Sequence, residues 1–290
     1  MNAIEQKQGN NWVAYNGDCV EVLAGLPDAS VDYSIFSPPF SSLYTYSNSD
    51  RDFGNCRSDE EFFSHMGFLI EQMNRVMKPG REVSFHCMLL PTSKERDGYI
   101  GLKDFRGDLI RAFQKGGFIH HSEVVIWKDP VTAMQRTKAV GLLHKSIRNN
   151  ASLSRQGIPD YLITMRMPGD PPERVTHKTE EYPVSHWQKV ASPVWMDIDP
   201  SDTLQYRSAR EHDDERHICP LQLGVIRRGI ELWTNPNDVV LSPFMGIGSE
   251  GYCALQAGRR FVGVELKSSY YRQAIQNLDN AIAQAGLFAA

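Results

Sequence analysis

Asp238-Val239-Val240-Leu241-Ser242-Pro243-Phe244-Met245-Gly246-Ile247-Gly248-Ser249-Glu250-Gly251 reads as an apolar strand, a glycine turn and the opening of a helix. Gly246, Gly248 and Gly251 fit G-x-G-x-x-G, the pattern that lets a backbone turn tightly and approach a ligand closely. Taken alone, such a turn is a tight strand-to-helix connection. Here Glu265 ends the next apolar run about 20 residues on, where a carboxylate can accept hydrogen bonds from both hydroxyls of a ribose. The three features in this order predict a nucleoside site on a parallel α/β sheet.

The same alternation runs outward from there. Leu221–Thr234 is an amphipathic helix ahead of the strand, and a last helix is expected from Ser269 to Ala285, with Gly286 just past its end. At the other end, Trp12-Val13-Ala14-Tyr15 is a short apolar run, followed by the turn Asn16-Gly17-Asp18 and a helix stopped at Pro27-Asp28. Val31–Phe36 has the pattern of a buried strand. Residues 59–77 read as a helix with Phe62, Met66, Leu69, Ile70, Met73 and Val76 on one face, terminated by Lys78-Pro79-Gly80. A strand over Glu82–Leu90, a helix over Asp108–Lys115 and a strand over Ser122–Trp127 follow. The rhythm breaks after residue 128 and resumes near 217. The chain thus divides into 1–128, an interruption at 129–216, and 217–290.

Composition sets the outer bounds. A chain of 290 residues with a net charge of −4 is not basic all over, so any nucleic-acid contact must come from local clusters of positive charge. Cys19, Cys56, Cys87, Cys219 and Cys253 form no C-x-x-C pair, which predicts reduced thiols and no metal site. His212 and His217 flank Asp213-Asp214-Glu215 without a zinc spacing. The opening MNAIEQKQGNNW lacks a basic-then-apolar signal, and no apolar run is long enough to cross a bilayer. A soluble, cytoplasmic protein is expected.

Two constellations carry chemistry. At the glycine turn, a dinucleotide would set its pyrophosphate on the helix N-terminus. Glu250 in that first turn disfavours a phosphate and suits S-adenosylmethionine, which carries a sulfonium and an ammonium instead. The second constellation is Ser37-Pro38-Pro39-Phe40, directly after a predicted buried strand. Pro-Pro alone is a rigid turn. The whole tetrapeptide places a hydroxyl, a carbonyl and an aromatic ring in one short arc. An amino group on a flat base needs two acceptors for its N–H bonds and a surface on which the ring stacks.

Together these motifs resemble the amino-methyltransferases of DNA, which form N4-methylcytosine or N6-methyladenine and carry (D/N/S)PP(Y/F) and F-x-G-x-G motifs. In the circularly permuted beta group the catalytic motif comes first, the cofactor motif last, and the target-recognition region lies between them. This chain has that order. The resemblance implies a Rossmann-like methyltransferase fold, a mostly parallel sheet with helices on both faces, and a recognition insert at 129–216. It also implies S-adenosylmethionine as cofactor, double-stranded DNA as partner, a bacterial or phage source, a restriction–modification setting and a homodimer. Carried over position by position, it implies that Phe244, Gly246, Gly248 and Ser249 line the cofactor and that Glu265 holds its ribose. Asp18 and the backbone of Cys19 would meet its adenine. Ser37 and the Pro38 carbonyl, stiffened by Pro39, would bind the target amino group, with Phe40 stacked on a flipped base. The family usually has Asp where this chain has Ser242, and that Asp can help hold the cofactor's ammonium. Glu250 is the nearby residue able to replace it. Ser before Pro-Pro-Phe resembles the cytosine-N4 enzymes more than the adenine-N6 enzymes.

The segment 131–159 holds Arg136, Lys138, Lys145, Arg148 and Arg155 and no acidic residue, which fits phosphate contact. Leu43-Tyr44-Thr45-Tyr46 could close over a flipped base. The alternative from another class is a nicotinamide-dependent oxidoreductase built on G-x-G-x-x-G and Glu265, which leaves Ser37–Phe40 without a task. RNA and protein glutamine are further substrates open to a planar-amide chemistry of this kind.

Overall fold

The computed structural model describes residues 3–40, 52–56, 58–131, 144–149, 156–177, 182–205 and 220–288. A hairpin of β1 (Glu5–Gly9) and β2 (Trp12–Asn16) opens the chain, turning at Asn11, whose φ of 64° is left-handed. Helix α1 (Cys19–Ala24) starts at Asp18, whose Oδ1 accepts from the backbone N–H of Val20 and Glu21. Strand β3 (Val31–Phe36) is buried along its whole length. Helix α2 (Asp59–Val76) begins with Ser58 accepting from Glu61 N, carries three acids in its first turn and buries the predicted apolar stripe. Then come β4 (Met77–Met88), a small pair of β5 (Leu90–Pro91) and β6 (Leu102–Lys103) around α3 (Lys94–Asp97), α4 (Phe105–Lys115) and β7 (Ile119–Ile126). The middle of the chain supplies α5 (His144–Asn149), β8 (Asp160–Arg166), α6 (Val184–Val190) and β9 (Val194–Trp195). The last part supplies α7 (Leu223–Trp233), β10 (Val239–Ser242), α8 (Ser249–Gln256), β11 (Arg260–Glu265) and α9 (Ser268–Phe288).

Among the described residues, nine strands form one sheet in the order β1-β2-β11-β10-β3-β4-β8-β7-β9. The run β2-β11-β10-β3-β4 is parallel throughout; β8 enters antiparallel between β4 and β7. One face is covered by α1, α2 and α4, with Leu23, Met66, Leu69, Met73 and Phe113 packed on Phe36 and Phe85. The other is covered by α7, α8 and α9, with Ile226, Ile230, Cys253, Tyr271 and Leu278 packed on Tyr33, Ile35 and Phe261. The α/β fold with a mostly parallel sheet and helices on both faces is therefore as expected. At Gly229, α7 passes so close to β3 that a Cβ would lie 2.6 Å from Tyr33 Oη and 2.9 Å from Ile35 Cδ1.

The two halves of the chain meet where β10 pairs with β3. A buried ionic cluster pins that junction at the strands' N-terminal ends. Arg81 Nη2 donates to Asp32 Oδ1 at 3.1 Å and to Asp238 Oδ2 at 2.9 Å, Lys78 reaches Asp32 at 2.6 Å, and Val239 N donates to Asp32 Oδ2 at 2.9 Å. Removing one partner of such a cluster would leave a buried charge uncompensated, so these contacts hold β3 and β10 in register. Here the register they set aligns the opposite ends of β3 and β10, which carry both motifs.

Several boundaries differ from the sequence reading. Helix α2 ends at Val76, just ahead of Lys78-Pro79-Gly80 as expected, but β4 starts at Met77 rather than at Glu82 and takes in those three residues. Gly80 has φ 69°, and a Cβ there would lie 2.5 Å from Pro171, so the chain needs glycine for a close approach rather than for a helix stop. The final helix continues through Gly286 to Phe288. Asp160–Arg166, which has no place in the predicted alternation, is a strand of the main sheet drawn from the middle segment.

Candidate active site

Chain order reverses direction at β10 and β3: β10 leads to β11 on one side and β3 leads to β4 on the other. Loops leaving two such strands diverge and open a crevice at their C-terminal ends. The glycine turn after β10 and Ser37–Phe40 after β3 both leave there. The turn is anchored from below and behind. Met245 N donates to Val264 O at 2.9 Å, and Asn277 Nδ2 donates to Ile247 O at 2.8 Å. Gly246 N donates to Glu265 Oε2 at 2.9 Å, and Lys267 N donates to Oε1 at 2.8 Å. Gly246 and Gly248 have φ of 52° and 87°, so both use the left-handed region.

One cavity joins the two motifs. It is lined by Asp18 and Cys19 at the start of α1, by Ser37, Pro38, Pro39 and Phe40, by Phe244, Gly246, Ser249 and Glu250, and by Glu265 at the end of β11. Asp52, Phe53, Leu221, Lys267 and Tyr270 are also in its lining, none of them a site residue in the sequence reading. Gly248 is not in the lining. It caps α8, and a Cβ there would come 3.2 Å from Ala274, so its place is in helix packing. Ser242 is fully buried outside the lining, and its Oγ has no hydrogen-bond partner among the described residues.

The electrostatics favour a cation. Glu250 is 4 % exposed, and burial, followed by the charge of Glu265, pushes its carboxyl up to about 8. Burial likewise pushes Glu265 up to about 7, against the pull of the Lys267 and Gly246 N–H groups. Two carboxylic acids that share a cavity in this way resist ionisation until a positive charge arrives. Cys19 is also raised by burial and by Asp18, so it is no thiolate nucleophile.

Behind Ser37 lies a chain of polar groups that the sequence reading missed. Ser37 Oγ is 3.0 Å from His86 Nδ1 on β4, and His86 Nε2 is 2.8 Å from Asp160 Oδ2 at the start of β8. Lys128, just past β7, pairs with the same Asp160 oxygen. Phe40 stands edge-on to the rings of His86 and Phe105, at 6.3 and 6.2 Å between centroids. A histidine near the C-terminal end of the strand beside the Ser37 strand is a readable signal; its partner Asp160 is not, because β8 was unrecognised.

Of the basic residues, the described Lys145 and Arg148 do not line this cavity. Lys145 and Arg148 are exposed on α5, while Arg136, Lys138 and Arg155 lie outside the described residues. The same holds for Tyr44, Tyr46, His212, Cys219 and the acidic run Asp213–Glu215. No helix among the described residues is long and apolar enough to cross a membrane, and no group of His, Cys, Asp and Glu among them could hold a metal.

Comparison with known proteins points the same way as the motifs. The type II methyltransferase M.BglII of Bacillus subtilis is 27% identical over 269 residues, covering 91% of this chain and 68% of its own. The DNA adenine methyltransferase YhdJ of Escherichia coli is 24% identical over 274 residues, covering 92% of this chain and 82% of its own. Among solved structures, the cytosine-N4-specific PvuII DNA methyltransferase shares the fold at a TM-score of 0.67 and 14% identity, over 98% of this chain and 96% of its own. M1.HpyAVI, solved as a complex with S-adenosylmethionine, shares it at 0.52 and 17% identity, over 92% of this chain and 98% of its own. The model of the N6/N4 DNA methylase family matches residues 31–276, and the chain belongs to that family.

Proposed function

We propose that this protein methylates N4 of cytosine in double-stranded DNA, using S-adenosylmethionine and a base flipped into the cavity. The observation that carries the reading is that Ser37–Phe40 and the Glu250–Glu265 pair open onto one cavity. The cofactor fits the residues present: in this reading Glu265 takes the ribose hydroxyls, Asp18 and the backbone at Cys19 meet the adenine, and Phe244, Gly246 and Ser249 form the walls, all of them lining the one cavity. Glu250, buried and facing no cation among the described residues, takes the ammonium in place of the Asp that position 242 lacks. When bound, the cofactor supplies an electrophilic methyl group.

The protein's own part is positioning and polarisation. A cytosine amino nitrogen is a poor nucleophile because its lone pair is delocalised into the ring. Ser37 Oγ and the Pro38 carbonyl accept its two N–H bonds and draw them out of the ring plane. The lone pair is then localised and aimed at the methyl carbon. Phe40 offers its face to the base, which offsets the few kcal/mol lost on unstacking from the duplex. Exposed Lys145 and Arg148, with the rest of the basic segment, neutralise phosphates.

The likeness to a DNA adenine methyltransferase keeps adenine N6 as a second reading with the same mechanism. Mass spectrometry of nucleosides from a methylation-free host expressing the protein decides between them. N4-methylcytosine that disappears with Ser37→Ala and Phe40→Ala supports the first reading. N6-methyladenine replaces cytosine by adenine, and no modified base from protein that binds S-adenosylmethionine overturns DNA as the substrate.

A further inference from the structure

We propose that His86, held by Asp160 and Lys128, receives through Ser37 the proton that the target amino nitrogen must shed on methylation. The inference rests on the methyltransferase reading above. As the N–C bond forms, the C–S bond breaks and its electron pair stays on sulfur, so the nitrogen gains a fourth bond and a positive charge. One of its two N–H protons has to leave. The Pro38 carbonyl has no proton to give up and nowhere to send one. Ser37 has both: its Oγ takes the amino proton while its own hydroxyl proton passes to His86 Nδ1, 3.0 Å away. The imidazolium so formed is met by Asp160 at 2.8 Å.

The surroundings suit this use. Asp160 is 1 % exposed, and although burial favours its neutral form, His86 and Lys128 together hold its carboxyl below the usual range. Asp160 accepts the Nε2 proton of the ring, which leaves Nδ1 as the acceptor. With its hydroxyl proton directed at His86, Ser37 turns its lone pairs to the base. Asp160 is paired with His86, Lys128 is paired with the same Asp160 oxygen, and the ring of Phe40 stands edge-on to the imidazole. Arg106 and Glu123 form an ion pair on the other face of the sheet, since Glu123 pairs with Ile163 while His86 pairs with Leu162.

The alternative is that His86 only fixes the Ser37 rotamer. His86→Asn separates the two, because an Asn oxygen can still accept the Ser37 hydroxyl but cannot carry its proton away. The measurement is single-turnover transfer of labelled methyl from S-adenosylmethionine to plasmid DNA from a methylation-free host, at saturating cofactor, in light and in heavy water. Wild type is expected to be slowed in heavy water, because two protons move along the relay. His86→Asn is expected to lose on the order of 10²-fold in rate and to lose most of that solvent isotope effect, with cofactor affinity unchanged. Asp160→Asn, the second variant should His86→Asn not fold, is expected to lower the rate and shrink the isotope effect. A His86→Asn enzyme with wild-type rate, or a slowed one that keeps the wild-type isotope effect, overturns the relay. No transfer by wild type on any DNA overturns the methyltransferase reading and the relay with it.

Discussion

The carboxylate of Glu265 is bound to the backbone of Gly246 at 2.9 Å, so the end of β11 and the turn after β10 form one rigid wall of the cavity. The second oxygen is bound by Lys267 N, which leaves each oxygen one further lone pair for a ligand. Glu265→Gln replaces one acceptor by a donor that faces a backbone N–H. S-adenosylmethionine binding measured by calorimetry should weaken by tenfold or more, about 1.4 kcal/mol per tenfold. An unchanged affinity would remove Glu265 from the cofactor site.

Glu250 sets a pH dependence of opposite sign for folding and for binding. Its carboxyl is near the ordinary range when unfolded and at about 8 when folded, so the folded state holds more protons in between. Stability of the ligand-free protein is therefore lost as pH rises through that window. A cationic ligand prefers the ionised form, so cofactor affinity should rise over the same window and binding should release protons. Glu250→Gln should flatten both trends and raise the melting temperature of the free protein at pH near 8. Calorimetry in buffers of different ionisation enthalpy counts the protons directly.

Gly229 is where α7 lies against Tyr33 and Ile35. Alanine there gains helix propensity but needs Tyr33 or the helix to move. We expect Gly229→Ala to lower unfolding free energy by about 1–3 kcal/mol in denaturant titration, the range for overpacking a well-filled core. A stabilised variant would mean that α7 has room to shift.

Lys145 and Arg148 are exposed on α5, outside the cavity. Changing both to alanine should weaken DNA binding across sequences and reduce the slope of log affinity against log salt by about 2. Cofactor affinity should not change. An unaltered salt slope would take α5 off the DNA surface.

What the sequence made legible was local and contiguous. The glycine turn, Glu265 and Ser37–Phe40 each state their chemistry within a few residues and sit at strand ends that periodicity reveals. His86 and Asp160 do not. They are separated by 74 residues and joined to Ser37 by pairing of β4 with β8. No local pattern encodes that pairing, and the β8 stretch lies inside a segment whose rhythm looked broken. The early start of β4 escaped for a related reason: Lys78-Pro79-Gly80 ends α2 as expected and also passes the chain closely beneath Pro171.

The central place of β10 has a consequence for how the molecule is made. On a ribosome, β2 and β3 emerge before the strands that stand between them, β11 and β10. Until then each offers an open, apolar edge with no parallel partner, and Asp32 and Arg81 wait without Asp238. The nascent chain carries these unpaired edges until β10 and β11 follow, and open apolar strand edges favour aggregation. For the same reason the cavity cannot exist on a growing chain, and no fragment ending before β10 can bind cofactor and base together.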